Sequence, residues 1–343
     1  MMRSRILHHD LILRIALAVL VFLFFALTTG GYASSGNIYA ILESCALVGI
    51  VAAGLGVTML AGELDLSVGS IAACAGIVAV QMSGSGVVVA VAAATIAGVA
   101  FGVVQGALIA RLNISSLVFT LGTFIALRGV AYVLSHEQTV TMDLSNLAIT
   151  TALRERFVIF SPFSLTMIAL VVAVGYVLRY TRIGREIYAI GGARKESRAA
   201  GISPSKPLVL AFALSAGLAA LAGSLASLRS GSATPSGHET LLVAAVTAAL
   251  IGGISLYGGR GSMSGIFVGV LTLQFLLSGL TLHGAAFWAA SLATGAVLLV
   301  FLVLDIANGS SPIGQSLRRF HIARRSSRTP RTQTTVSAST PVP

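Results

Sequence analysis

The chain has 343 residues, of which 56% are hydrophobic and only 10% are charged, and its mean hydropathy is +0.93. Soluble domains carry about 25% charged residues, so a water-soluble fold of this composition would expose too much apolar surface. The net charge of +11 would suggest nucleic-acid binding in a soluble chain. Here the basic residues lie between long apolar runs, so we expect a membrane protein that binds no nucleic acid.

Charge-free segments of about 20 residues, the length that crosses a bilayer as a helix, recur along the chain. They do not alternate apolar and polar residues as barrel strands would, and helices satisfy their own backbone in lipid. We therefore predict an all-α polytopic membrane protein. Its ten helices lie near residues 11–29, 38–60, 66–82, 87–110, 115–135, 161–180, 207–228, 239–257, 263–281 and 286–305.

The first apolar run admits two interpretations. Leu11–Leu27 is long for the apolar core of a signal peptide, and the following "TTGGYASSG" is a mediocre cleavage context. We therefore expect a retained first helix.

The segment "GELDLSVGS", Gly62–Ser70, places two acids between apolar runs and predicts an interrupted helix near 62–70. Asp65 and Ser67 precede the next helix, where either side chain could cap free amides and an acid complements the positive helix end. A second role stays open, in which this polar rim lines a transport path or moves with a gate.

Arg128 is a charged residue inside the fifth predicted helix, about two turns before Ser135. Three roles stay open for it. It snorkels to the surface, it pairs with Glu43, or it lies on a transport path.

The longest basic connection is 181–207, which contains its own predicted helix, Lys195–Ala200, ended by Gly201 and Pro204. It is either a loop that binds lipid headgroups or a docking helix for a cytoplasmic partner. Small residues would let such a helix enter a groove.

A second interruption is predicted near 252–262 in "LIGGISLYGGRGSMSGIFVG", because five glycines there disfavour a regular helix. These are Gly252, Gly253, Gly258, Gly259 and Gly261. The segment lacks the lysine of a phosphate-binding loop. Glycines four residues apart, at 98, 102 and 106 and at 261, 265 and 269, predict close helix packing.

Basic residues crowd the start of the chain, the 181–207 loop and the end of the chain, which the positive-inside bias places in the cytoplasm together with both termini. Residues 1–312 are expected to form one transmembrane domain. Residues 313–343 are expected to form a basic, disordered cytoplasmic tail.

Enzyme motifs are missing from the sequence. Neither "HE" pair continues to H-E-x-x-H, and there is no G-x-S-x-G. Cys45 and Cys74 form neither a zinc cluster nor a redox pair. Because no Walker A motif is present, any ATP hydrolysis belongs to another subunit. We expect no catalytic residue, cofactor or metal.

Three segments, taken in order, resemble the permeases of sugar (ribose-type) ABC transporters. They are "AGELDLSVGS", "AIGGARKESRAAGIS" and "LIGGISLYGGRGSMSGIFVGVL", and the resemblance spans roughly 35–305. It implies cytoplasmic ATPase subunits, a periplasmic or extracellular sugar-binding protein and a second permease subunit, in the bacterial inner membrane. It also implies a coupling element for the ATPase, formed by Glu196, Arg198, Ala199, Ala200, Gly201 and Ile202.

Sparse polar side chains suit the route of a sugar, which must be bound without being trapped. The candidates for the translocation path or gate are Asp65, Ser67, Asn113, Ser116, Thr120 and Gln274.

The sequence departs from the family where many relatives carry "Y-E-L-D-A-I-A". Leu242 and Ala244 replace the acids, and Ile254 replaces a threonine. These changes concern the substrate more than the mechanism. The alternatives are an ion-coupled secondary transporter and a branched-chain amino-acid permease of the same architecture. The permease pairs either with itself or with a paralogue, and the sugar is left open.

Overall fold

A computed structural model describes residues 2–307, and the prediction of an all-α polytopic fold is confirmed. All ten predicted membrane helices are present within that range, together with three shorter helices. The α-helices are α1 Met2–Thr28, α2 Ser35–Leu60, α3 Val68–Gln81, α4 Val87–Leu112, α5 Ser116–Ser135, α6 Leu147–Leu153, α7 Pro162–Tyr180, α8 Arg182–Gly192, α9 Arg194–Ala199, α10 Ser205–Ser230, α11 Leu241–Ile251, α12 Met263–Leu282 and α13 Phe287–Asp305.

Eight of the described helices are long and apolar enough to cross a membrane, whereas α3 and α11 are not. At 1.5 Å per residue these two are only about 21 and 16 Å long, against about 30 Å of hydrocarbon. The prediction that one helix covers 239–257 was wrong at both ends. Gly252 and Gly253, the latter with φ +77°, end α11 at Ile251.

The centre of the bundle is formed by α2 and α10. In the most apolar stretch of each helix, 83% of the residues of α2 and 72% of those of α10 are buried. The corresponding share is 11% or less for α1, α5 and α13. The predicted small-residue packing is confirmed where α4 crosses α10. There a methyl group on Gly106 would lie 2.9 Å from the Val209 Cα, which leaves no room for a side chain.

One end of the bundle, here called the basic face, carries α8, α9 and the adjoining ends of α2, α4, α7, α10 and α12. The predicted helix at 195–200 is confirmed with a shift of one residue, as α9. Helix α8 was not predicted, because its apolar residues are interleaved with three charged ones.

The other end is here called the opposite face. It contains a pair of short strands and a 3₁₀ helix that were not predicted from the sequence. Strand β1, Val140–Thr141, pairs antiparallel with β2, Ser232–Ala233, and joins the two long connections of this face. The 3₁₀ helix Leu144–Asn146 leads into α6. The predicted tail, 313–343, lies outside the described residues.

Candidate functional site

The first break, residues 61–67, contains a buried carboxylate held by four donors. The Oδ1 atom of Asp65 accepts hydrogen bonds from the Ser67 amide (3.1 Å), the Ser67 hydroxyl (2.5 Å) and Gln105 Nε2 (3.2 Å). Its Oδ2 atom accepts one from the Ser215 hydroxyl (2.8 Å). Because each carboxylate oxygen is paired, the charge can remain inside the bundle.

Ser67 is the N-cap residue of α3, as predicted, but its hydroxyl accepts no helix amide and donates to Asp65. Asp65 instead accepts the amide two residues ahead, the pattern of an Asx turn. This turn lets one helix end and the next begin inside the bundle.

The backbone on either side of Asp65 is paired by two hydroxyls of α5. The Leu64 amide donates to the Ser116 hydroxyl (3.5 Å) and the Leu66 amide to that of Thr120 (3.1 Å). The Thr120 hydroxyl also donates to the Leu64 carbonyl (3.3 Å). Two of the predicted site residues therefore replace the hydrogen bonds that an unbroken helix would have made.

Gln105 and Ser215 were missed as members of this site. Gln105 lies about two turns inside the last residue of α4, and Ser215 nearly three turns inside the first residue of α10. Gln105 also accepts the Thr123 hydroxyl at 2.9 Å, which extends the cluster to α5. A signal was available, because Gln105 is the only amide side chain in the charge-free run of α4.

The second break, residues 252–262, meets the first one at a junction made almost entirely of glycine. The Gly259 amide donates to the Leu60 carbonyl at 2.9 Å. A methyl group on Gly258 would lie 2.7 Å from the Gly62 Cα and 2.8 Å from the Gly191 carbonyl oxygen. We call Gly62, Gly191, Gly192, Gly258 and Gly259 the glycine junction.

The glycine junction brings together the end of α2, the end of α8 and the predicted glycine turn. Gly62, Gly258 and Gly259 have φ of +79°, +82° and +68°, a region that favours glycine. The three backbones can approach this closely only because no side chain separates them.

Two charged side chains, Glu63 and Asp305, link the breaks to neighbouring helices. Arg194, the first residue of α9, donates to Glu63 Oε1 at 2.6 Å and so links α9 to the first break. Asp305 Oδ2 accepts the Ser255 hydroxyl (3.1 Å) and the Leu256 amide (3.2 Å), which ties the end of α13 to the second break. Neither contact was predicted.

Helix α9 presents most of the predicted coupling residues to solvent. Glu196, Arg198, Ala199, Ala200 and Gly201 are exposed and Ile202 is half-buried. Gly201, at φ +82°, donates to the Arg198 carbonyl, and the next amide donates to the Ser197 carbonyl. This Schellman motif confirms that Gly201 ends the helix.

The remaining predicted path residues lie apart from the Asp65 cluster. Asn113 ends α4 in the left-handed region (φ 51°) at the basic face, where Arg198 Nη2 lies 3.4 Å from its Oδ1. Gln274 is buried within α12.

The segment 234–240 descends into the bundle from the opposite face. Arg128 Nη1 donates to the Pro235 carbonyl (2.6 Å) and the Gly237 carbonyl (3.1 Å). A methyl group on Gly69, in the first turn of α3, would lie 3.1 Å from the His238 carbonyl. Arg128 therefore pairs carbonyl groups of the irregular segment that precedes α11. This segment and the short helix α11 follow one another inside the bundle.

The alternative in which Arg128 pairs with Glu43 was wrong. Glu43 is buried near the opposite face, where it forms an ion pair with Arg229 at the end of α10 and accepts the hydroxyl of Ser161, the N-cap of α7. These contacts join α2, at a point about two turns inside it, to the end of α10 and the start of α7.

Among residues 2–307, no group of three or more His, Cys, Asp and Glu side chains is placed to hold a metal ion. What the fold and the site define is a polytopic membrane protein with two breaks between its helices, connected to an exposed basic helix.

Comparisons with known proteins identify the family. The family model described as "Branched-chain amino acid transport system / permease component" matches residues 37–302. The ribose import permease protein of Escherichia coli (strain K12) is 33% identical over 298 residues, which cover 85% of this chain and 92% of the relative. The fructose import permease protein of Rhizobium meliloti is 30% identical, covering 84% and 82%, and the L-arabinose ABC transporter permease protein of Azospirillum brasilense is 30% identical, covering 84% and 85%. No solved structure gives a significant match. The chain belongs to this family of transport permeases.

Proposed function

We propose that this chain is the membrane subunit of an ATP-driven importer for a monosaccharide. Separate cytoplasmic subunits hydrolyse the ATP, and a soluble binding protein delivers the sugar. The relatives named above import ribose, fructose and L-arabinose, all monosaccharides, which supports a sugar over a branched-chain amino acid. A second permease subunit, identical or paralogous, completes the path.

The basic face is the cytoplasmic one in this proposal, in the inner membrane of a bacterium. Arg111, Arg179, Arg185, Arg194 and Arg198 lie at that end, and positive residues favour the cytoplasmic side. The binding protein would then dock on the opposite face, around α6 and the β1–β2 pair.

The observation that carries the proposal is the physical link between α9 and both breaks. An ATPase bound to the exposed surface of Ala199, Ala200 and Gly201 would move α9 as a unit. This movement reaches the first break through the ion pair between Arg194 and Glu63. It reaches the second break through α8, whose last two residues belong to the glycine junction. Movement of one short helix therefore reaches both broken segments without passing through a flexible linker.

Five of the six predicted path residues fall into two groups on this view, and Gln274, buried within α12, belongs to neither. The first group is Asp65, Ser67, Ser116 and Thr120, which form hydrogen bonds within the first break and between the break and α5. Because their polar atoms are already paired, these residues are better suited to a gate than to a sugar-binding site. Asn113 contacts α9 and supports coupling.

The test is to purify the tagged chain in detergent from its own membranes and measure which ATPase accompanies it. We expect Ala200→Trp to lose the ATPase and its turnover, because a bulky ring prevents α9 from entering a groove, and Ala200→Ser to retain both. Calorimetry on the cognate secreted protein, with ribose, fructose, arabinose and leucine, assigns the substrate class. An ATPase that remains bound to the tryptophan variant, or a binding protein that takes leucine alone, would refute the corresponding part.

A further inference from the structure

A groove of about 860 Å³ opens on the side of the bundle, between α1, α7 and α12, with α8 at its end. Its lining includes Leu11 of α1, Ile168, Val171, Val172 and Arg179 of α7, and Arg185 of α8. The volume lies within the range of roughly 300–1,000 Å³ typical of ligand sites. The groove contains no residue of the Asp65 cluster, and it borders the second break at Ser262.

The lining changes from apolar to cationic along the groove. Ile168, Val171 and Val172 lie toward the middle of α7, whereas Arg179 in its last turn and Arg185 of α8 line the groove at the basic face. Arg179 and Arg185 are exposed, and none of the lining residues whose side chains the structure describes, all from Leu11 onward, is acidic.

The length of the groove corresponds to one leaflet. Ile168 and Tyr180 are twelve residues apart on α7, which is about 18 Å of helix. Half of a hydrocarbon core of about 30 Å is about 15 Å. The cationic end therefore lies at headgroup level and the apolar end near the middle of the bilayer.

The polar end is built from groups that suit a phosphate. The Arg179 guanidinium lies 5.6 Å from the centre of the Tyr180 ring, which orients its donors. Ser264 also lines the groove and is exposed, and its hydroxyl lies 3.1 Å from that of Ser262. Guanidinium groups match phosphate oxygens in geometry as well as charge.

We propose that this groove is a binding site for an anionic phospholipid of the leaflet at the basic face. The phosphate lies between Arg179 and Arg185, and one acyl chain lies along Ile168, Val171 and Val172. A basic pocket between membrane helices is the kind of site that binds acidic lipid headgroups. A helix from another copy of the chain would bury both arginines without a counter-charge, so charge complementarity favours lipid.

The bound lipid reaches the second break. Tyr188, which lines the groove, donates its hydroxyl to the Gly261 carbonyl at 3.0 Å. Burial raises the pKa of Tyr188, so the phenol stays a donor. A lipid against Tyr188 therefore steadies the contact between α8 and the glycine turn.

The test uses the full chain in detergent, with native mass spectrometry and two probes, palmitoyl-oleoyl phosphatidylglycerol and the phosphatidylcholine of the same chains. We expect tighter binding of phosphatidylglycerol. The Arg179→Gln/Arg185→Gln variant should lose about 30-fold of that affinity, roughly fivefold per arginine. Arg111→Gln, an exposed arginine of α4 at the same face and outside the groove, should lose none.

A second pair of variants tests the acyl-chain part without changing charge. Val172→Trp fills the groove and should displace phosphatidylglycerol, whereas Val177→Trp, exposed on the same helix but outside the lining, should not. Equal binding of the two lipids, or unchanged binding by the double glutamine variant, overturns the proposal. Disulfide cross-linking of Val172→Cys between two copies overturns it in favour of a dimer interface. These outcomes require no transport, so they leave the proposed function untouched.

Discussion

The two broken segments solve the same physical problem in different ways. Both leave backbone groups without helical partners inside the bundle, where an unpaired group costs several kcal/mol. Residues 61–67 pair those groups with hydroxyls of α5 and with Asp65, whose carboxylate is held in turn by side chains of α4 and α10. Residues 252–262 have few such partners and rely on close backbone packing, with Gly258 and Gly259 pressed against Gly62, Gly191 and Gly192.

This contrast indicates how each segment can fail. The first should be sensitive to removal of atoms, because each lost partner leaves a buried polar group unpaired. The second should be sensitive to addition of atoms, because its contacts depend on the absence of side chains. The variants below test the difference, from the largest expected effect to the smallest.

Removing the Asp65 carboxylate should have the largest effect. Asp65→Ala leaves Ser67, Gln105 and Ser215 without their acceptor inside the bundle. Each donor left unpaired costs about 1–3 kcal/mol, so we expect a loss of about 3 kcal/mol or more in the free energy of unfolding, measured by SDS titration in detergent. Asp143→Ala, at an exposed aspartate on the opposite face, is the control and should change it little. An unaltered titration for Asp65→Ala would mean that the cluster does not hold the first break.

Adding one methyl group to the glycine junction should come next. Gly191→Ala places a Cβ atom into the Leu60 carbonyl, a backbone group that cannot move aside, and should cost about 1–3 kcal/mol. Gly192→Ala is the matched control, since its Cβ atom would lie 3.8 Å from the Gly259 Cα, an ordinary contact. If the two neighbouring variants unfold alike, close packing is not what supports the second break.

The ion pair between α9 and the first break should have a smaller effect on stability. The Arg194 side chain is 38% exposed and that of Glu63 is 12% exposed, so solvent weakens their attraction. A double-mutant cycle of Glu63→Gln and Arg194→Gln should give a coupling energy of up to about 1 kcal/mol. Additive single effects would show that α9 does not act on Glu63.

The smallest effect is expected for Asp305→Asn. The amide retains an oxygen acceptor for the Ser255 hydroxyl and the Leu256 amide but loses the charge. We expect a loss below about 1 kcal/mol, with faster hydrogen exchange at 255–257 as the sensitive measurement. Unchanged exchange there would remove Asp305 from the support of the glycine turn.

Much of the fold could be predicted from the sequence, because apolar length is a property of each segment by itself. All ten helices and both breaks were found in that way. Breaks were visible for the same reason, since Asp65 and the glycines at 252–261 stand out locally. The end of α11 was misplaced because "ISLY" remains apolar after Gly252 and Gly253 have stopped the helix.

The site was predicted less completely, because its contacts join residues far apart in the chain. Ser215 lies 150 residues from Asp65, and nothing in its own neighbourhood distinguishes it from other serines of α10. Glu63 and Arg194 are 131 residues apart. Arg128 was recognised as unusual, but its partners are backbone carbonyls, which carry no sequence signal.

The central claim is that this chain conducts sugar only when a separate ATPase drives it. The direct measurement is uptake of radiolabelled ribose, fructose or arabinose into proteoliposomes that contain the chain, its co-purified ATPase and the cognate binding protein. We predict uptake that requires ATP on the ATPase side, requires the binding protein on the other side, and is absent for the chain alone under a proton or sodium gradient. Accumulation of sugar by the chain alone under such a gradient would contradict the account and identify an ion-coupled transporter.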